Sequence, residues 1–220
     1  MGKKVLIVRT DRMGDVLLTT PLSRLLHQTD PSCEVTWLVN RYTAPLLEHN
    51  PDVHQVLIDQ GSSAFHLAKI LRRYSFDYAI VALPRWRICV ALWLAKIPIR
   101  IGPASKWYSI LLTQRLSQHR SKSIKHEADY NLDLLVPLGM TSQRTPTRYV
   151  LTKEEKEWGR KTLEGHRIAF QKPIAILHPG SGGSSARWPL SHFMTLGDRL
   201  QKDGWDVVIR LVLEKTIKVS

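Results

Sequence analysis

The sequence predicts an α/β protein with parallel sheets in two domains, the second of them incomplete. Short apolar runs rich in β-branched residues alternate with segments whose apolar residues recur at helical spacing. This alternation is typical of parallel strands joined by crossover helices. A polar segment at 141–152, which contains Pro146, separates a long first set of elements from a short second set and is predicted to be a linker.

The first domain is predicted over residues 1–140. Its strands are expected at 4–10, 34–39, 53–58, 78–83 and 99–101, where each run is short and apolar enough for a buried parallel strand. Helices are expected at 16–29, 43–49, 64–74, 88–95 and 126–138. Pro21 should lie in the first turn of the first helix or kink it. Gly139 follows the last helix as a natural C-cap.

The second domain is predicted over residues 153–220. It offers a helix at 153–163, a strand at 174–178, a helix at 190–203 and a strand at 206–209. This is little more than one βαβ unit, which is marginal as an independent α/β domain. We therefore expect a partial domain, cut off partway through.

The formal net charge of +13 indicates an anionic partner. Residues 78–126 contain no Asp or Glu, and their nine Lys and Arg residues are interleaved with Trp86, Trp93, Trp107 and Tyr108. Such a mixture suits an anionic membrane surface. It also suits nucleic acid, or a solvated basic face over core tryptophans. Because no nucleic-acid-binding motif is recognised, the prediction is a membrane surface and no nucleic acid.

Two features of the sequence bear on localisation. No apolar run approaches the length that crosses a bilayer. The apolar stretch near the start covers only residues 5–8, too short for a signal peptide. We therefore expect a cytoplasmic protein.

The segment after the first strand is the first candidate site, because ligands of open α/β sheets bind outside the carboxyl ends of strands. It reads Thr10-Asp11-Arg12-Met13-Gly14-Asp15. Gly14 is expected to allow a tight turn, after which Asp15 opens the helix. The carboxylate of Asp15 then has two interpretations, a reactive group or only an N-cap. The dinucleotide fingerprint G-x-G-x-x-G is absent.

The segment between the strand at 174–178 and the helix at 190–203 is the second candidate site. Its glycines and serines offer backbone N–H and hydroxyl donors, as a phosphate cradle requires, and Arg187 adds a cation suited to a diphosphate. A flexible connector is the alternative. The sequence contains no Walker motif and no Asp-x-Asp pair, so no metal and no cofactor is predicted.

Five stretches together resemble glycosyltransferase family 9, the heptosyltransferases. They are 7–21, 36–39, 43–47, 126–135 and, in the second half, 178–181 with 187–189. The resemblance implies the two-domain GT-B fold, with two Rossmann-like halves. The first half would receive an acceptor sugar and the second would hold a nucleotide sugar, and the stretch 126–135 is similar to the family's inter-domain helix.

The resemblance also implies roles for individual residues. Asp15 would be the general base of an inverting transfer. The expected acceptor-binding residues are Thr10, Arg12, Met13 and Gly14. The expected donor-binding residues are His178, Gly180, Ser181, Gly182, Gly183, Arg187 and Trp188. Many members carry a lysine in the second segment where this chain has Ala186.

The function that these assignments imply is transfer of heptose from ADP-heptose, or a similar sugar nucleotide, to the lipopolysaccharide core or a related glycan. The enzyme would work as a peripheral protein at the inner face of the cytoplasmic membrane, on an acceptor built on lipid A. The family's later Asp-Ser-Gly-x-x-His segment is absent. We therefore expect the chain to be inactive as it stands, and the alternative function is that of a non-catalytic remnant or binding fragment.

Overall fold

The computed structural model describes residues 2–122, 124–141, 145–179 and 188–210. The chain divides into two compact units, Met1–Leu151 and Thr152–Ser220. Each unit has its own parallel sheet.

The first unit is built on a six-stranded sheet whose strands all run parallel. The strands are β1 (Lys4–Val8), β2 (Glu34–Val39), β3 (Gln55–Ile58), β4 (Tyr78–Val81), β5 (Ile99–Pro103) and β6 (Gln114–Leu116). Their order is β3-β2-β1-β4-β5-β6, so β1 lies centrally between β2 and β4. This is the order of doubly wound nucleotide-binding sheets.

Helices cover both faces of this sheet. The α-helices are α1 (Met13–Leu17), α2 (Pro21–Thr29), α3 (Ala64–Arg72), α4 (Trp86–Leu94) and α5 (Glu127–Leu132). Successive β1 side chains enter opposite cores, so that Val5 and Ile7 join one cluster and Leu6 and Val8 the other. Burial on both faces explains why β1 is an uninterrupted apolar run.

Three predicted helices differ from the structure. The helix at 16–29 is two helices, because the chain turns at Leu18–Thr20 and Pro21 opens α2 without needing an N–H partner. The helix at 43–49 is wrong, since only a short 3₁₀ turn forms at Ala44–Leu46. The helix at 126–138 is α-helical through α5, then continues as a 3₁₀ helix, Asp133–Leu138, that contains Pro137 and ends at Gly139 with φ 78°.

The short strand β6 was not predicted. Two of its three residues, Gln114 and Arg115, are polar and exposed, and the half-buried Leu116 alone does not make the apolar pattern used to recognise strands. It forms because it extends the sheet edge beside β5.

The second unit contains α6 (Lys153–Gly165), β7 (Ile174–Leu177), α7 (Leu190–Lys202) and β8 (Asp206–Ile209). A reciprocal capping box between Thr152 and Glu155 starts α6. The strands β7 and β8 pair in parallel, and Gly197 of α7 lies close to Leu177 and Val207. In the portion of the chain that the structure covers, no helix is both long and apolar enough to cross a membrane.

Candidate active site

A cavity of about 740 Å³ lies at the carboxyl ends of the central strands of the first unit. The residues that follow β1, β2, β3 and β4 all contribute to its lining. Because the strand order reverses at β1 and β4, the connections from these strands diverge and leave a crevice between them. The cavity therefore lies at the carboxyl ends of the strands, the position at which the sequence predicts the first candidate site.

Only two of the four predicted acceptor-binding residues line this cavity, namely Thr10 and Arg12. The backbone carbonyl of Thr10 accepts a hydrogen bond from Asn40 Nδ2 at 2.9 Å, which ties the segment after β1 to the segment after β2. Met13 is 51% exposed and, with Gly14, lies in α1 outside the lining.

The expected tight turn at Gly14 is wrong. Gly14 is the second residue of α1, its φ is not positive, and an added Cβ would contact no atom within 4 Å. The N-cap of α1 is Arg12, without a side-chain hydrogen bond, so Asp15 is not an N-cap. Asp15 instead lies in the first turn, where its side chain is 32% exposed.

Arg9, the residue after β1, holds the carboxylate of Asp15. The guanidinium is 4% exposed and meets three carboxylates, one at each nitrogen. Nε lies 2.7 Å from Asp11 Oδ1, Nη2 lies 3.1 Å from Asp15 Oδ1, and Nη1 lies 3.3 Å from Glu127 Oε1. A buried guanidinium is stable only when it is paired in this way.

Two pKa shifts record the balance between burial and pairing here. Burial raises the pKa of Asp11, while its hydrogen bond and charge interaction with Arg9 oppose the rise. Burial lowers the pKa of Arg120, and its ion pair with Glu127 opposes the fall. Both groups thus lie in surroundings that disfavour their charged forms, and an oppositely charged partner partly offsets this effect for each of them.

The arginines that line the cavity differ in whether their side chains have partners. Arg87 pairs with Asp59 and donates to the carbonyl of Ser62 at 2.9 Å. Within the described ranges, the side chains of Arg12 and Arg85 form no hydrogen bond or ion pair and remain available to a ligand. The exposed Trp86 supplies an aromatic surface beside them.

The residues of the predicted donor site belong to the second unit, and the structure describes only some of them. Gly180, Ser181, Gly182, Gly183 and Arg187 lie outside the described residues.

His178 and Trp188, which flank this segment, are described. His178 Nδ1 lies 3.1 Å from the carbonyl oxygen of Arg210. Trp188 is 49% exposed, packs edge-on against Phe193 at 4.8 Å, and lines a cavity of about 330 Å³ with Arg199.

Several residues of the site were missed by sequence reasoning. Tyr42, Asp59 and Arg85 each follow a strand, so the rule that picked out Thr10 also reaches them once the strand order is known. Arg9 and Glu127 gave no such signal, because their contact joins positions 118 residues apart. In the resolved ranges, no three His, Cys, Asp or Glu side chains cluster as metal ligands would.

Comparison with known proteins defines the class. The model of "Glycosyltransferase family 9 (heptosyltransferase)" matches residues 64–215. A putative glycosyltransferase of Haemophilus influenzae is 30% identical over 88% of this chain and 59% of its own length. Lipopolysaccharide heptosyltransferase 3 of Escherichia coli is 26% identical over 89% of this chain and 59% of its own length.

Solved structures show the same fold. A glycosyltransferase family 9 protein from Veillonella parvula matches with a TM-score of 0.81 at 21% identity, over 94% of this chain and 62% of that one. ADP-heptose lipopolysaccharide heptosyltransferase II of Escherichia coli matches with a TM-score of 0.77 at 20% identity, over 94% and 63%. The predicted fold class, an α/β protein of the GT-B type with Rossmann-like parallel sheets, is confirmed.

The chain therefore belongs to glycosyltransferase family 9, the heptosyltransferase family. It spans 59% of the length of the two curated relatives described above.

Proposed function

We propose that this protein transfers heptose from ADP-heptose to an acceptor of the lipopolysaccharide core, with Asp15 as the general base. One observation carries the proposal. The partly exposed Asp15 carboxylate shares the buried guanidinium of Arg9 with Asp11, which itself lines the cavity at the carboxyl ends of the strands. A carboxylate is thus fixed beside the place where this fold binds ligands.

In the proposed reaction, Asp15 accepts the proton of an acceptor hydroxyl as the hydroxyl oxygen attacks the anomeric carbon of the donor. The new carbon–oxygen bond forms on the face opposite the diphosphate. The bond between the anomeric carbon and the diphosphate oxygen breaks, ADP leaves with the electron pair, and the configuration is inverted. Residues of the segment 178–188, by their resemblance to the family's donor segment, would meet the diphosphate.

The cavity lining supports an acceptor that is an anionic sugar. Arg12 and Arg85 are free to form charge-assisted hydrogen bonds with phosphate or carboxylate groups. Trp86 and Tyr42 present amphipathic aromatic surfaces against which a sugar ring can pack. The lipopolysaccharide core combines these two chemistries.

The proposal is tested by the release of ADP from ADP-heptose in the presence of a heptose-deficient lipopolysaccharide acceptor. Because the chain as it stands is expected to be inactive, the assay uses a version extended to the length of its relatives. Asp15→Asn should lower kcat by about 10²–10⁴-fold, the usual contribution of a general base, and leave donor binding unchanged. Asp30→Asn, an acid-to-amide change in the loop after α2, is the control and should retain full turnover. Near-normal turnover of a well-folded Asp15→Asn variant would remove Asp15 from the mechanism.

We also propose that the basic segment 78–126 attaches the protein to the inner face of the cytoplasmic membrane. The segment leaves several large side chains in solvent, among them Trp93, Trp107 and Ile110, of which Trp107 is 82% exposed. Aromatic rings of this kind lie at the headgroup level, and nearby cations are attracted to anionic lipids. Weak, salt-sensitive attachment is expected.

A further inference from the structure

Asp15 belongs to a closed ring of residues joined by hydrogen bonds and ion pairs. Some members of the ring lie more than 100 residues away in the sequence. Arg9 joins the Asp15 carboxylate to Glu127 on α5. The backbone carbonyl of Asp15 accepts a hydrogen bond from Thr19 Oγ1 at 2.7 Å, and Thr19 Oγ1 accepts one from Asn131 Nδ2 at 3.0 Å. Both the side chain and the backbone of Asp15 are thus tied to the same helix.

Arg120 closes the ring on the α5 side. Its Nη1 forms an ion pair with Glu127, and its Nη2 donates to Asn131 Oδ1 at 3.2 Å. Its Nε donates to Gln118 at 2.9 Å, so its orientation is fixed from a third direction. The members of the ring, in order, are Asp15, Arg9, Glu127, Arg120, Asn131 and Thr19.

The spacing on α5 explains how one short helix supplies two members. Glu127 and Asn131 are four residues apart, so they lie one above the other on the same face. Asn131 is fully buried, and its amide also donates to the carbonyl of Leu18 at 3.1 Å, in the turn between α1 and α2. The helix therefore holds α1 at Asp15, in its middle, and at its C-cap, Leu18.

From this geometry we infer that Glu127 and Asn131 are positioning residues for the proposed base: α5 acts through Arg9 and Thr19 to fix the direction in which Asp15 points. The inference rests on the proposed function of Asp15. Each nitrogen of Arg9 serves a different carboxylate, and the planar, rigid guanidinium fixes the directions of these contacts relative to one another. When Glu127 loses its charge, Arg9 loses one of three anchors, and Asp15 loses its fixed orientation.

The decisive variant is Glu127→Gln, which keeps the size of the side chain and removes its charge. We expect kcat to fall about 10–100-fold, because a small misplacement of a reacting group costs that much, while the KM values for donor and acceptor stay near wild type. Asp133→Asn is the matched control. Asp133 follows α5 and pairs with Lys125 at 2.8 Å outside the ring, so this variant should keep its kcat.

A double-mutant cycle separates positioning from general damage. If Glu127 acts through Asp15, Glu127→Gln should lower kcat in the wild-type background and have no further effect in the Asp15→Asn background. Multiplicative losses in the double variant would refute the inference, as would a normal kcat in Glu127→Gln.

A pair of substitutions at Thr19 tests the ring without removing a charge, and so with less risk of unfolding the protein. Thr19→Ser keeps the hydroxyl and should retain kcat. Thr19→Val removes the hydroxyl at similar size and should lower kcat. Equal kcat in the two variants would also count against the ring.

The outcomes distinguish this inference from the proposed function. Normal turnover in Asp15→Asn rejects the general base and the ring together. A large loss in Asp15→Asn with a normal Glu127→Gln rejects the ring alone.

Discussion

Two neighbouring arginines of the cavity should respond differently to the same substitution. Arg85 is exposed and, in the described part of the chain, uncommitted, whereas Arg87 is held by Asp59 and by the carbonyl of Ser62. We predict that Arg85→Gln weakens acceptor binding and leaves folding intact. Arg87→Gln should mainly weaken folding.

The expected magnitudes follow from burial. A charge-assisted hydrogen bond contributes about 1.5–3 kcal/mol, and exposure to solvent reduces this to about 1–1.5 kcal/mol for Arg85. The acceptor KM should therefore rise about five- to tenfold, with kcat and the donor KM unchanged. The Asp59 side chain is 5% exposed, so removal of its partner should lower the free energy of unfolding by about 2–3 kcal/mol. The loss is smaller than the roughly 3–5 kcal/mol of a fully buried pair, because the Arg87 side chain is 20% exposed.

The assay is steady-state ADP release with a de-acylated acceptor, which keeps membrane contact out of the measurement, together with urea unfolding of each variant. Arg115→Gln on β6, outside the cavity, controls for the loss of one charge. An unchanged acceptor KM in Arg85→Gln would refute the proposed acceptor site. A loss of stability in Arg85→Gln equal to that in Arg87→Gln would show that the two arginines are equally committed.

Two further predictions concern packing and the membrane. Gly102→Ala should lower the free energy of unfolding by about 1–3 kcal/mol, because the new Cβ would lie 2.9 Å from the Val81 carbonyl oxygen. Gly14→Ala is the control and should not destabilise the protein, because its Cβ would have no atom within 4 Å. Equal urea midpoints for the two variants would contradict this prediction. The protein should sediment with anionic vesicles at low salt and be released at high salt, with Trp107→Ser weakened; equal sedimentation with neutral vesicles would exclude the proposed membrane surface.

Much of the fold could be predicted from the sequence, because its signals are local. A strand buried on both faces must be largely apolar, so β1, β2 and β4 stand out as short apolar runs whose charged residues, where present, lie only at the first position. The position of Asp15 after the first strand was enough to mark it as a candidate. The family motif pointed to the same residue.

The prediction of local detail failed where packing outweighs periodicity. The apolar spacing of 16–29 fits one helix, yet the chain turns at Thr19 and Thr20, whose hydroxyls bond to carbonyls of the preceding turn. Both threonines are buried, so their tertiary surroundings decide the break. The edge strand β6 likewise depends on pairing with β5 rather than on its own residues.

The sequence by itself determined the parallel α/β architecture, the basic segment and the identity of the candidate base. Only the tertiary structure decided what surrounds that base. Arg9 reads in the sequence as the charged end of a strand, but the fold buries it and brings Glu127 to it from 118 residues away. Such a contact depends on strand order and on the packing of α5 against α2, which no local pattern of residues encodes.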